Sequence, residues 1–512
     1  MFSPDRAEET YANPLIAPAN TAEGNAEFAA LRTALEQARY TEPNVLAHLD
    51  LQRMSQFQMD PAVRRARPRS SPETALDLLI RLLLEGETIS AEDVATLAPA
   101  ELLRRFGILA PHPDQPGKFG GTTMLYPMHG LYIVADRYEP LAVKPGVRFD
   151  DIVYPAIVPN TDLFLELGQL TSSVVSCDAF LDLCAGTGIA ALLAAKNGAR
   201  HAYAYDIAER STVFAEFNRR LNGISNATAA RGDLYEPAGE LTFDRIVAHP
   251  PYVPVYRPQF IFDSGGQDGE QIVRRIIEQL PKYLRAGGIF QSLTMGTDRE
   301  QPFEQRVREW LGADEHEFDV LFVNRRTIEP GDWAAQRVIS NNGSVADIAN
   351  WQKFFKELGV RALSYGFLTI QRRGAVRSVF TVRRETGKQT GPAEHAASLK
   401  WETQLATRGA SFLLDATPRV APQIQMRVDH HIQGNEWVPE NCLLQVDDPF
   451  SMELRAQPWI PYLLSFADGS QTGAQLLEKL KADGALPEET PPPEFASMLA
   501  LLVSGGFLRV KS

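Results

Sequence analysis

Cysteine is scarce: only Cys177, Cys184 and Cys442 occur in 512 residues, far apart, odd in number and without a C-x-x-C pair. A disulfide framework and a zinc ribbon are thereby excluded, and a reducing, cytoplasmic setting is expected. Long apolar runs are missing as well. The richest, ALDLLIRLLL (75–84), carries Asp77 and Arg81 and is too short to span a bilayer, so no membrane partner is expected. The N-terminal stretch MFSPDRAEETYANPLIAP lacks a basic start followed by an apolar core, and no signal peptide is read in it. Positive charge is in deficit, with Lys+Arg 51 against Asp+Glu 64 and a net charge of −13. That balance argues against a surface coated for duplex nucleic acid, while a local basic patch is compatible with it. Hydrophobic residues at 44% and charged residues at 22% are ordinary for a globular protein. The length accommodates roughly two to four domains.

What is present is organised round residues 179–191, AFLDLCAGTGIAA. Phe180, Leu181 and Leu183 read as the end of a buried strand, Cys184-Ala185-Gly186-Thr187-Gly188 as a tight turn, and IAALLAAKNG from Ile189 as a helix ending at Gly198. Strand, turn and helix N-terminus present backbone N–H groups to whatever sits in the turn, and glycine permits close approach. Asp182, at the strand end, can take a polar group of that ligand. Three more strand ends follow in order. HAYAYD (201–206) ends in Asp206, 24 residues after Asp182; NATAARGD (226–233) ends in Asp233; FDRIVAHPPYVP (243–254) ends in a rigid proline turn. An acidic residue at the second strand end suits ribose hydroxyls. Strand ends tipped in this way build one crevice at the carboxyl edge of a sheet.

These motifs resemble the class I S-adenosylmethionine methyltransferases, and among them the HemK-type group that includes release-factor glutamine methyltransferases. DLCAGTG (182–188) resembles that group's DLCTGSG, and HPPYVP (249–254) its NPPYVP. FDSGGQDGEQIVRRII (262–277) resembles its GG-x-DG-L-x-x-x-RRI segment, and VPNTDLFLEL (158–167) its RPETELLVE stretch. The resemblance covers about residues 150–300. It implies an α/β fold, a Rossmann-like methyltransferase core with a seven-stranded sheet, and S-adenosylmethionine as cofactor. The cofactor-binding set it implies is Asp182, Cys184, Ala185, Gly186, Thr187, Gly188, Asp206, Ile207, Asp233 and Leu234. Asp182 and the glycine turn would hold the methionine part, Asp206 the ribose hydroxyls and Asp233 the adenine amino group. Each aspartate alone reads as a strand-end cap; the ordered set favours the cofactor.

The implied catalytic turn is His249, Pro250, Pro251 and Tyr252. In the family an Asn at the first position accepts a hydrogen bond from the target NH₂ group, and the tyrosine packs on a planar target. His249 departs from that pattern. Neutral imidazole still offers one acceptor nitrogen and imidazolium none, so the rate is expected to fall near pH ~6.5, where an unperturbed histidine titrates. A rigid strand exit without catalysis is the competing reading. Gly265-Gly266-Gln267-Asp268-Gly269 can close over the target, or Asp268 can cap the next helix. Asn160-Thr161-Asp162 can line the cofactor mouth, or Thr161 can cap the helix to Gly168. His430-His431 beside Asp429 invites a metal reading, but neighbours on a strand point to opposite faces, and no metal is expected.

The flanks suggest an N-terminal domain over 1–145, the methyltransferase domain over 146–386 and a small α+β domain over 400–512. Helices are expected over 28–40, 44–51, 71–86 (Ser71 as N-cap, Pro72 following), 90–97 (capping box Ser90 and Asp93) and 99–109. With a hairpin over 122–138 the last three of these resemble a winged helix, which can bind nucleic acid, bind protein or brace the next domain. Arg64, Arg65, Arg67 and Arg69 form a phosphate contact or, more in keeping with charge runs generally, a solvated loop. Strands are expected over 287–296, 318–324, 362–373 and 377–385, one of the last two antiparallel, and GKQTGPAEHAAS (387–398) as a linker. Helices over 461–484 and 494–504 and a closing strand again suggest a winged helix. The resemblance implies methylation of a planar amide nitrogen, with a protein glutamine, in a translation factor among others, as the target. A base amine of RNA or DNA and a non-catalytic cofactor-binding adaptor are the alternatives.

Overall fold

A computed structural model describes residues 14–57, 73–137, 151–171, 174–255, 265–340 and 344–510. The chain divides into two compact units, Met1–Gly296 and Thr297–Ser512. In the first, a helical stretch (Ala75–Leu79, continuing as Ile80–Glu85) is followed by strand Ile89–Ser90, helices Ala91–Thr96 and Ala100–Arg105, and strands Leu109–Pro111 and Lys118–Gly121. The last strand lies between the other two, which completes a winged-helix order. The expected wing over 122–138 is therefore corrected: the wing is the short hairpin ending at Gly121. Its strands are too brief for a period-2 pattern to show. The preceding helix is capped by Thr74, whose side chain accepts from Asp77 N. Ser71 and Pro72, like the arginine run at 64–69, lie outside the described residues.

The hairpin expected over 122–138 exists as a separate element: β1 (Thr123–Met128) pairs with β2 (Leu131–Asp136). His129 and Gly130 between them both have positive φ, 51° and 68°, as a two-residue turn of right-handed twist requires. Then come α1 (Pro159–Leu167), β3 (Ala179–Leu183), α2 (Ile189–Lys196), β4 (His201–Asp206), α3 (Glu209–Leu221), β5 (Ala227–Arg231), β6 (Phe243–Ala248), α4 (Gln271–Glu278) and β7 (Leu284–Asp298). The five strands stand in the order β7-β6-β3-β4-β5 and all neighbours are parallel. The order reverses between β3 and β6, so the crevice outside their carboxyl ends is the place where a ligand binds in such sheets.

Helix α3 joins sheet and hairpin. Asn218 and Asn222, one turn apart, behave as a surrogate strand for the free edge of β2. Asn218 Oδ1 accepts from Val134 N at 2.8 Å and Nδ2 donates to Val134 O at 3.0 Å. Asn222 repeats this with Tyr132 at 2.8 and 2.7 Å. Arg210 and Asp136 form a buried ion pair beside them. Phe217 packs in a ring cluster with Phe28 and Phe106, with centroids 5.0 and 5.8 Å away.

In the second unit β8 (Phe318–Ile328) pairs antiparallel with β9 (Ala362–Arg372) and parallel with β10 (Thr381–Thr386). The antiparallel member of the expected pair is thus 362–372. The expected linker is not one: helix α5 (Pro392–Arg408) begins inside it, with Gly391 N donating to Glu394 Oε2 at 2.9 Å. The glycine, the proline at the first helical position and the acidic residue two further on are a helix start that the polar composition masked. Helices Trp459–Phe466, Gly473–Ala482 and Pro492–Ser504 pack round a core that includes Leu413, Leu463, Leu476, Phe495 and Leu499. A short ladder, Arg419–Val420 with Leu508–Arg509, lies beside them.

Candidate active site

Register puts the two decisive turns side by side. Leu183, the last residue of β3, faces Ala248, the last of β6, and on its other side Tyr205. The glycine turn and the histidine-proline turn therefore leave neighbouring strand ends, with Asp206 at the third.

The glycine turn carries positive φ at Cys184, Gly186 and Gly188 (57°, 53° and 77°). Two of these are glycines, for which that region is free of strain. A Cβ placed on Gly186 would meet nothing within 4 Å, so the turn opens on free space. A Cβ on Gly188 would lie 2.9 Å from Ala215 Cβ, so that glycine lets the loop close on α3. From behind, Asn218 Nδ2 donates to Thr187 O at 3.0 Å.

Asp206 organises this turn: its carboxylate accepts from Gly186 N and from Ala208 N, each at 2.9 Å. Burial raises its pKa, and those backbone donors oppose the rise. Both oxygens keep lone pairs for further donors. Ile207 beside it is 51% exposed, an apolar face left open at the strand tip. Asp182 is buried, with Oδ2 accepting from Ala191 N at 3.2 Å. Burial lifts its pKa to about 8, the negative Asp206 adding to the rise. Cys184 is kept a thiol by burial and by the surrounding carboxylates, so no thiolate faces the turn. Asp233 is ion-paired with Arg275 of α4 at 2.7 Å, and Leu234 beside it is buried with φ 53°. Arg275 stands 42 residues further along the chain, outside any local motif at the strand end.

The second turn is built of stacked rings. His249 lies between Phe164 (centroids 5.1 Å, planes 27° apart) and Tyr252 (5.7 Å, 23°). It keeps part of its surface, yet the packing round it lowers its pKa to about 4, with burial the cause. The acid limb expected near 6.5 is corrected accordingly. The glycine segment that follows packs on this turn. Gly265 N donates to Val253 O at 3.2 Å and Val255 N to Gly266 O at 3.0 Å. A Cβ on Gly269 would lie 2.4 Å from Tyr252 O. Asp268 is not the N-cap: Glu270 holds that position, and Asp268 Oδ1 accepts from Glu270 N at 3.1 Å.

Thr161 does not cap its helix, since α1 starts at Pro159 with Val158 as N-cap. Asp162 accepts from Ser55 Oγ at 2.6 Å and meets His129 Nε2 at 2.8 Å, which turns it to the N-terminal region. His430 and His431 stand on an exposed ribbon, and no metal-binding group of side chains occurs among the described residues. Nor is any helix among them long and apolar enough to cross a membrane.

A family model described as the methyltransferase small domain matches residues 160–318. The ribosomal protein uL3 glutamine methyltransferase of Bradyrhizobium diazoefficiens is 32% identical over 173 residues, 31% of this chain and 54% of that protein. A putative protein N5-glutamine methyltransferase of Methanocaldococcus jannaschii is 36% identical over 142 residues, 26% of this chain and 70% of that protein. The release factor glutamine methyltransferase of Thermodesulfovibrio yellowstonii is 32% identical over 146 residues, 26% of this chain and 52% of that protein. The chain thus spans about half the length of the uL3 and release-factor relatives. The open space at Gly186, the acceptor at Asp206 and the exposed face of Ile207 suit the polar and apolar parts of S-adenosylmethionine. With these motifs on neighbouring strand ends and those relatives, the chain belongs to the class I S-adenosylmethionine-dependent methyltransferases, in the HemK-like group.

Proposed function

We propose that the chain is an N-methyltransferase acting on a planar amide nitrogen, with a protein glutamine side chain as the target. The observation that supports the reading is the register of Leu183 with Ala248, which sets the glycine turn and the proline turn on neighbouring strand ends. Bound S-adenosylmethionine supplies a methyl group already electrophilic on its sulfonium. The residues of the chain then have to bind, align and exclude water. In this reading Asp182 and the backbone of Cys184–Gly188 hold the methionine part, and Asp206 accepts from the ribose hydroxyls. Ile207 covers one face of the adenine, and Asp233 with Leu234 takes its edge. Pro250 and Pro251 have no N–H, so the turn offers carbonyl acceptors to a target that brings two N–H donors. Neutral His249 adds a ring nitrogen as acceptor, and Tyr252 a flat wall for the amide plane.

The names of the relatives support a protein target, a ribosomal protein or release factor among others. Free cysteines throughout support a cytoplasmic setting. A base amine is the second reading, and the winged-helix order over residues 75–121 favours it. Transfer of labelled methyl from S-adenosylmethionine into a cell extract, split into protein, RNA and small-molecule fractions, tests both. Label in protein, released as N5-methylglutamine on proteolysis, is expected. Label in RNA alone would replace the first reading with the second, and no transfer despite cofactor binding would leave an adaptor.

A further inference from the structure

Helix α1 shows opposite faces with different work. Asp162 and Glu166, one turn apart, are held by the N-terminal region: Asp162 by Ser55 and His129, Glu166 by Arg53 at 2.8 Å. Asn160 and Phe164, also one turn apart, face the proline turn. Asn160 Nδ2 donates to Tyr252 Oη at 3.1 Å, and the Phe164 ring lies 5.1 Å from that of His249. Phe164 is 2% exposed, so its ring has little room to move. His249 makes no hydrogen bond through its ring nitrogens among the described residues, so stacking alone sets the plane of the ring.

We propose that Phe164 and Asn160 are positioning residues for methyl transfer: Phe164 fixes the ring plane of His249, Asn160 fixes the hydroxyl of Tyr252, and α1 fixes both against the N-terminal region. The proposal rests on the methyltransferase reading for its chemical consequence, but the clamp itself has a readout independent of activity. No charged side chain contributes to lowering the pKa of His249. Removing the covering ring therefore admits water and raises it.

The test uses the full chain with ¹⁵N-labelled histidine. In the wild type the His249 ring should stay neutral down to about pH 4. In Phe164→Leu its titration should move up by about one unit or more, and in Phe164→Tyr, which keeps a ring, it should stay low. An unmoved titration in folded Phe164→Leu overturns the clamp whatever the protein methylates. On the kinetic side, Phe164→Leu should lower kcat by about 10- to 100-fold with cofactor affinity unchanged. In a His249→Asn background the same substitution should cost nothing further. Likewise Asn160→Ala should lower kcat alone and add nothing to Tyr252→Phe. Additive losses in both cycles would show that α1 merely supports the fold. A wild type that transfers no methyl group defeats the functional reading, and the titration still decides the clamp.

Discussion

At the scale of single residues, Asp182 and His249 have pKa values shifted in opposite directions. Asp182 has its pKa raised to about 8, so in the free protein at neutral pH it carries a proton. A cationic ligand, such as the amino group and sulfonium of the cofactor, favours the carboxylate. Binding should therefore release a proton from this group, and affinity should rise with pH up to about 8 and then level off. The slope approaches about tenfold per pH unit for one proton. The same shift makes a stability statement for the free protein: the contribution is full below the unfolded value near ~4 and is lost as pH rises through about 8. Calorimetry of cofactor binding in buffers of different ionisation heat checks the release; pH-independent affinity would reject it. His249 moves the other way, to about 4. If its neutral nitrogen accepts from the target, the rate should hold through pH 6.5 and fall only as pH drops through about 4. His249→Asn should flatten that limb, and a limb that survives the substitution belongs to another group. The sequence placed His249 correctly at a strand exit, because that motif is local. It could not show the ring of Phe164, 85 residues away in the chain, which sets its environment.

At the scale of elements, the strands and the turns between them were legible because their signals lie within a few consecutive residues: Asp182, Asp206 and Asp233 at strand ends, glycine where φ is positive. The support beneath them was not. Asn218 and Asn222 sit in ERSTVFAEFNRRLN, where two asparagines read as helix-neutral polar residues. Nothing in that string says that they complete the edge of β2. Asn218 is fully buried and makes bonds to Val134 N, Val134 O and Thr187 O. Replacing it with alanine would strand three backbone groups without partners, at about 1–3 kcal/mol for each left dry. Asn218→Ala is therefore expected to lose about 2–5 kcal/mol in urea unfolding, after some rescue by water. Because Thr187 is in the glycine turn, cofactor affinity should fall as well. Asn222→Ala, at a half-buried position and with no contact to the turn, should cost less and leave affinity alone. Equal effects from the two would mean that the helix only packs and does not pair.

At the scale of the whole molecule, the division into 1–145, 146–386 and 400–512 stands as a proposal, and the segment between the last two is where it can be tested. Lys388 has a side chain 83% exposed and lies just before α5, so trypsin should cut there. Cleavage alone should not free the C-terminal piece. Beyond the cut, α5 is fastened on both sides. His395 is buried beside Phe367 and Phe450, with centroids 5.6 and 6.5 Å away. Glu402 forms a buried ion pair with Arg384, while Trp401 Nε1 donates to Ser504 Oγ at 2.7 Å. Pulling α5 away would break the pair between Arg384 and Glu402 and expose the apolar surroundings of His395 to water, and both changes favour the docked helix. The pieces 1–388 and 389–512 should therefore elute together under native conditions and part only in denaturant. The helix then serves as the common wall of the two domains. Separate native elution with cofactor binding kept by the larger piece would instead make 400–512 an independent module. It would also mean that the pair Arg384–Glu402 contributes little to holding it.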